Sequence, residues 1–326
     1  MQSLNRSRDE IKAIAILWVV FFHAQLVLDG VLYKIQSIGY GGVDMFQFML
    51  GYGLFQSLSK SDDLGDYLKR RVVRIFPSYL PFCLLWLIVM IPKFDLGLVK
   101  TVKTIIGNLT MTGYLAKNIS VINWYPTLLI LSVLSAPLFY AVLSRSKKKL
   151  LCLSALVMAS LLIGMIYIGD KQYIVISRFP VFLLGMGFAM QAKNEKLVKW
   201  AYRCSIPVFV LGVYIIMRFL TVFSDELHQY ALYWHPFILI APALCLILAF
   251  LLNKCNKKLL LPLQIIGKAS FEIFLFNAWV EVLGKHYGMC NSAMDWVAAS
   301  LASIVLGVAY HALISKVSKL RYKAIG

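Results

Sequence analysis

An all-α polytopic membrane protein is the fold class this sequence predicts, and three observations carry the prediction. Of its 326 residues, 60% are hydrophobic and only 15% are charged, with a mean hydropathy of +0.75, whereas a soluble domain carries closer to a quarter charged residues. Apolar stretches of roughly 20 residues, the length that crosses about 30 Å of hydrocarbon, follow one another with short polar breaks. Lys and Arg concentrate in alternate breaks. Together these predict about ten transmembrane helices in a single membrane-embedded domain over 1–326, with both termini cytoplasmic.

The spans are expected near 13–33, 38–59, 76–94, 122–144, 150–168, 174–190, 205–223, 233–252, 262–284 and 293–314. Between the third and fourth, an apolar segment is broken by Gly107, Asn108, Thr110 and Gly113, so 95–121 reads as an interfacial or re-entrant loop, with an eleventh span as the alternative. The first run resembles a signal anchor but lacks a small-residue cleavage site, and is expected to stay in the mature protein. Cationic flanks are retained in the cytoplasm. With the N-terminus inside, the inner segments hold the cations at 6–12, 60–74, 145–149, 193–203, 254–258 and 316–323. The outer ones hold only Lys34, Lys93, Lys100, Lys103, Lys117, Lys171 and Lys285.

A net charge of +18 invites a nucleic-acid partner, but the cations sit at span ends with no soluble domain to display them together. Topology and anionic lipid headgroups account for most of them. Of the six cysteines, only Cys290 is expected outside, so no disulfide framework is predicted. No metal-ligand spacing and no glycine-rich phosphate loop occurs in the chain, and neither a metal nor a permanently bound cofactor is expected.

Ionisable side chains at bilayer depth ask for a partner, a wet cavity or a function. Lys12 and His23 are eleven residues apart, about 16 Å of rise and three turns, so they share a helix face. Lys12 then lies at the cytoplasmic mouth and His23 in the outer half. A lone His in a span also serves as a helix-to-helix hydrogen-bond partner, and that reading stands beside the functional one. Asp44, Arg178, Arg218, His235, Asn277 and Glu281 fall in the outer half or at its rim. The inner half holds Lys268 and the run KRRVVRIFP, where Arg71 and Arg74 share a face beside the Pro77 that starts the next span. Guanidinium groups so spaced can take phosphate oxygens in forked hydrogen bonds; they serve equally as positive-inside flanks.

At these residues the sequence resembles the membrane-bound acyltransferase-3 family of bacterial surface-glycan O-acyltransferases. The family's opening pattern, D-G-L-R-A-L-A followed by a His, is similar to Asp9 through Ala15 and then His23, with Lys12 in the cation's place. Its G-V-D-L-F-F-V-L-S-G block resembles Gly42 through Gly51, and R-x-x-R-I-x-P is matched by Arg71, Arg74, Ile75 and Pro77. Asn123-Trp124-Tyr125 looks like the family's W-F/Y segment, and Gly267 through Asn277 resembles its late G-x-x-S-Y-x-I-Y-L-x-H block. The chain departs from the pattern at Gln47, at Leu50 and at Asn277, where a His is common, and lacks the acidic residue found after the Trp in many members.

The resemblance implies O-acetyl transfer from cytoplasmic acyl-CoA, most often acetyl-CoA, to a hydroxyl of an exopolysaccharide, capsule, O-antigen or lipid-linked glycan, in the cell inner membrane. Lys12, Arg71 and Arg74 would take the CoA phosphates, and Trp124, Arg178, Arg218, Asn277 and Glu281 would face the acceptor. His23 is expected as general base, because imidazole's ordinary pKa of about 6.5 lies near operating pH. Asp44 is expected to orient it or to bind the acceptor. A glycan transporter or flippase without acyl transfer is the alternative, and an inactive acyltransferase-like protein a third possibility.

Overall fold

In hydrocarbon, backbone N–H and C=O groups must be satisfied within the segment, which leaves the helix as the local solution for long apolar runs. The computed structural model, which describes residues 2–60, 63–93, 96–116, 122, 124–222 and 234–325, is accordingly all-helical, with no strand among the described residues. The helices run α1 (Gln2–Arg6), α2 (Arg8–His23), α3 (Gly30–Ser37), α4 (Gly42–Leu58), α5 (Leu64–Met90), α6 (Leu98–Leu109), α7 (Tyr125–Arg145) and α8 (Lys149–Ile166). They continue as α9 (Tyr173–Ile176), α10 (Phe179–Met190), α11 (Glu195–Val222), α12 (Phe237–Leu252), α13 (Leu261–Lys268), α14 (Ser270–Tyr287) and α15 (Ala293–Ile325).

Among the described residues six segments are long and apolar enough to cross a membrane: Leu64–Lys93, Tyr125–Arg145, Lys149–Ile166, Tyr173–Met190, Glu195–Phe219 and Ala293–Val317. Phe237–Leu252 is apolar but shorter. Several expected boundaries move. The run over 13–33 is not one helix: α2 stops at His23, Gln25 and Gly30 adopt φ of 48° and 59°, and α3 restarts after Asp29. An Asp-Gly break with left-handed backbone ends a helix even where hydropathy continues.

The third expected span starts well before 76, at Leu64 as α5, because Lys and Arg are good helix formers and the cationic run extends the apolar one. Pro77 and Pro81 therefore lie inside α5 instead of opening it. The 95–121 segment contains the 12-residue helix α6, about 18 Å long and too short to span. It buries Thr104, Gly107 and Asn108 and exposes Leu98, Val99, Val102 and Ile106. The expected spans 174–190 and 262–284 are each broken in two, at Ser177–Arg178 and at Ala269. The last helix runs on to Ile325, 33 residues in all. Lys117 and Asn123 lie outside the described residues.

The chain divides into two compact units, each assembled from three separate stretches of sequence. The first comprises 1–8, 43–68 and 124–255. Its centre is α10, which buries Val181, Phe182, Leu183, Gly185 and Met186 and packs on α7, α8 and α12. Around it, α8 turns Leu150, Leu151, Leu162 and Ile163 outward, an apolar surface suited to lipid chains.

The second unit comprises 9–42, 69–123 and 256–326. Its core is the α14/α15 pair, with Ile273, Phe274, Leu275 and Ala278 fully buried. Aromatic rings join α14 to α5: Phe82 lies 5.4 Å from Phe276 and 5.2 Å from Trp279, centroid to centroid.

Candidate active site

Within the second unit, the last turn of α2 brings His23 against one face of α14. His23 Nδ1 lies 2.5 Å from Asn277 Oδ1, and Nε2 lies 3.3 Å from Glu281 Oε2. Asn277 and Glu281 are four residues apart, one helical turn, which is why a single ring reaches both. Glu281 Oε1 in turn accepts a hydrogen bond from Lys285 Nζ at 2.9 Å. Both atoms facing the imidazole are oxygens, so a neutral ring can donate to one of them, and a proton taken from a hydroxyl on the other nitrogen also meets an acceptor. The side chain of His23 is 13% exposed and that of Glu281 28%, so the pair is reachable.

At the other end of α2, Lys12 Nζ lies 2.8 Å from Asp9 Oδ1 and donates to the Gly267 carbonyl at 2.9 Å. Gln264 donates to the buried Glu10 at 2.8 Å. These contacts tie α2 to the C-terminal turn of α13 and give the Lys12 ammonium protein partners at the position expected to meet phosphate. Arg71 is half-buried and Arg74 exposed on α5.

Asp44 and Arg178 lie in the first unit and form an ion pair with both side chains 1% exposed. Two indoles flank the guanidinium, Trp124 at 5.7 Å and Trp234 at 5.1 Å from ring centroid to Cζ, a cation–π setting. Tyr173 Oη lies 3.2 Å from His235 Nε2 and its ring 5.6 Å from that of Trp234. Arg178 occupies this position because the chain breaks between α9 and α10, and Pro180 restarts the helix. Arg218 is exposed on α11.

The carboxylate beside His23 is Glu281; Asp44, expected to orient His23 or to bind the acceptor, pairs with Arg178. His23, Asn277 and Glu281 meet in the second unit; Trp124, Arg178 and Asp44 meet in the first. A third cluster was missed in the sequence. Ser78 donates to Glu272 Oε1 at 2.6 Å, and His311 Nδ1 lies 3.1 Å from the same oxygen. The signal was present as two ionisable residues inside apolar runs, Glu272 in 262–284 and His311 in 293–314.

Described residues that are all-helical, with six segments among them long and apolar enough to cross a bilayer and with ion pairs and imidazoles held inside apolar helices, define an integral membrane protein of multi-pass type. More narrowly, the chain belongs to the acyltransferase-3 family: the family model described as an acyltransferase domain matches residues 6–312. It is therefore a membrane acyltransferase. Neither a curated protein nor a solved structure matches it.

Proposed function

We propose that the protein moves an acetyl or similar acyl group from cytoplasmic acyl-CoA to a hydroxyl of a surface or lipid-linked glycan, with His23 as general base. The observation that carries this reading is the imidazole held between Asn277 and Glu281. The acceptor hydroxyl gives its proton to the ring as its oxygen attacks the thioester carbon; the C–S bond breaks and the CoA thiolate leaves, to be protonated to the thiol. Glu281 stabilises the imidazolium that forms, and Asn277 fixes the ring's orientation, so the base is aligned before substrate binds. Arg71 and Arg74, on the same unit as His23, supply guanidinium forks for the donor's phosphates. The inner membrane is the setting of this reading.

The test is release of CoA thiol and labelled acetate transfer from acetyl-CoA by membranes containing the protein. His23→Ala is expected to abolish both while leaving membrane abundance near normal. Retained transfer in that variant removes His23 from the mechanism. A glycan flippase would release no thiol even in the unaltered protein.

A further inference from the structure

Within the second unit, α6 is fastened to the middle of a segment long and apolar enough to cross a membrane, not to its end. Tyr79 Oη donates to the Asn108 carbonyl at 2.7 Å, and Asn108 Oδ1 accepts from the Ile122 amide at 3.0 Å. Asn108 Nδ2 donates to the Thr104 carbonyl at 2.8 Å, and Tyr79, Thr104 and Asn108 are all buried. Tyr79 stands fifteen residues after Leu64 and fourteen before Lys93, at the midpoint of the segment Leu64–Lys93. The C-terminal end of α6 is thus held about 21 Å along that segment from Lys93.

The 12 residues of α6 are about 18 Å long, enough to run back from the Lys93 end to Tyr79. Its charges favour that course. Lys100 and Lys103 are exposed in its first half, and the sequence over 98–116 has no Asp or Glu to pair with them. Lying flat at the depth of Tyr79, α6 would hold both ammonium groups inside hydrocarbon; lying flat at the surface, it could not reach Tyr79. Inclined along α5, it keeps the lysines within snorkelling reach of the headgroups and turns the exposed Leu98, Val99, Val102 and Ile106 to the lipid chains.

Beyond Leu109 the chain leaves the helix at that depth. Met111 takes φ of 61° with its side chain buried, whereas Thr110 and Thr112 are exposed and their hydroxyls lie 2.8 Å apart. Non-helical backbone at membrane depth is tolerated only where protein buries it or water reaches it, and two exposed threonines are not buried. We propose that α6 is a re-entrant half-span whose tip, Thr110–Thr112, lines a water-filled cavity reaching the middle of the bilayer. Such a cavity admits hydrated, uncharged groups such as sugar hydroxyls. Its use by an acceptor rests on the function proposed above; its existence does not.

Cysteine reactivity and depth test this on the full-length protein, with Cys152, Cys204, Cys255 and Cys290 replaced by Ser and the buried Cys83 and Cys245 kept. In membranes opened to both faces, Thr112→Cys is expected to react with a hydrophilic maleimide about tenfold faster than Ile106→Cys, because a thiol ionises in water and not in hydrocarbon. Thr110→Cys serves if the Thr112 variant fails to accumulate. A fluorophore attached in detergent and then reconstituted reads depth. On Val99→Cys it is expected to be quenched most by lipids carrying a nitroxide near the headgroup, and on Ile106→Cys by lipids carrying it near the chain end, since seven residues are about 10 Å of rise. Equal depth at the two positions lays α6 flat and overturns the proposal, as does Thr112→Cys reacting no faster than Ile106→Cys. Both readouts are independent of acyl transfer, so failure of the proposed function leaves them unchanged.

Discussion

Single residues divide into those whose chemistry is visible in the sequence and those whose partner is not. His23 stands out because an imidazole in an apolar run asks for a reason; that its neighbours are Asn277 and Glu281, some 250 positions later, is written nowhere in local pattern. Asp44 shows the same limit, since its depth is legible and its pairing with Arg178 is not. Among the described residues, that pair is a buried charge compensation with both side chains almost fully enclosed. Removing one partner of such a pair leaves the other unpaired in low dielectric, at about 3–5 kcal/mol. Asp44→Asn is therefore expected to lower the thermal midpoint of the detergent-solubilised protein markedly. The double variant Asp44→Leu with Arg178→Met is expected to recover much of the loss, because apolar replacements of similar volume leave no charge behind. An Asp44→Asn midpoint equal to that of the unaltered protein would show that the guanidinium needs no counter-ion.

At the scale of helices, hydropathy located the apolar runs but not their ends. It merged α2 with the stretch after His23, because nothing in the average registers Asp29-Gly30. It opened α5 at Pro77, because charge lowers hydropathy while leaving helix propensity high. What holds helices together in lipid is close packing at small residues, since hydrocarbon offers no hydrophobic drive between them. The α4/α10 contact in the first unit is of this kind. A methyl at Gly51 would run into the Phe182 carbonyl, and one at Gly185 into the Phe48 carbonyl, each glycine lying on the other helix's backbone. Backbone cannot step aside as a flexible side chain can. Gly185→Ala is thus expected to destabilise by about 1–3 kcal/mol. Gly53→Ala, two residues from Gly51 in α4, meets nothing within 4 Å and is expected to be neutral or to stabilise by up to about 1 kcal/mol through helix propensity. Thermal unfolding of the two variants side by side checks this, and equal midpoints would refute the close-contact account.

Over the whole molecule, the residues that the sequence presents as one site are distributed between two units, each built from three stretches of chain. The groups proposed to meet the donor, Arg71, Arg74 and His23, belong to one; Asp44, Trp124 and Arg178 belong to the other. Sequence order cannot reveal such a division, because helices adjacent in the chain, such as α4 and α5, fall largely to different units. Charge, by contrast, is legible from sequence at this scale. Cytoplasmic retention of Lys and Arg predicts that the α12–α13 connection, with Lys254, Lys257 and Lys258, lies inside, and that the α14–α15 connection, which has none, lies outside. Each connection carries a native cysteine, the exposed Cys255 in the first and the partly exposed Cys290 in the second. Between them lie α13 and α14, over 261–287, a stretch expected to cross the membrane once. With the other four cysteines replaced, an impermeant maleimide added to intact cells is expected to label Cys290 at once and Cys255 only after permeabilisation. Labelling of both from outside would mean that 261–287 does not cross. The reverse pattern would invert the orientation, and with it the side from which acyl-CoA can approach Arg71 and Arg74.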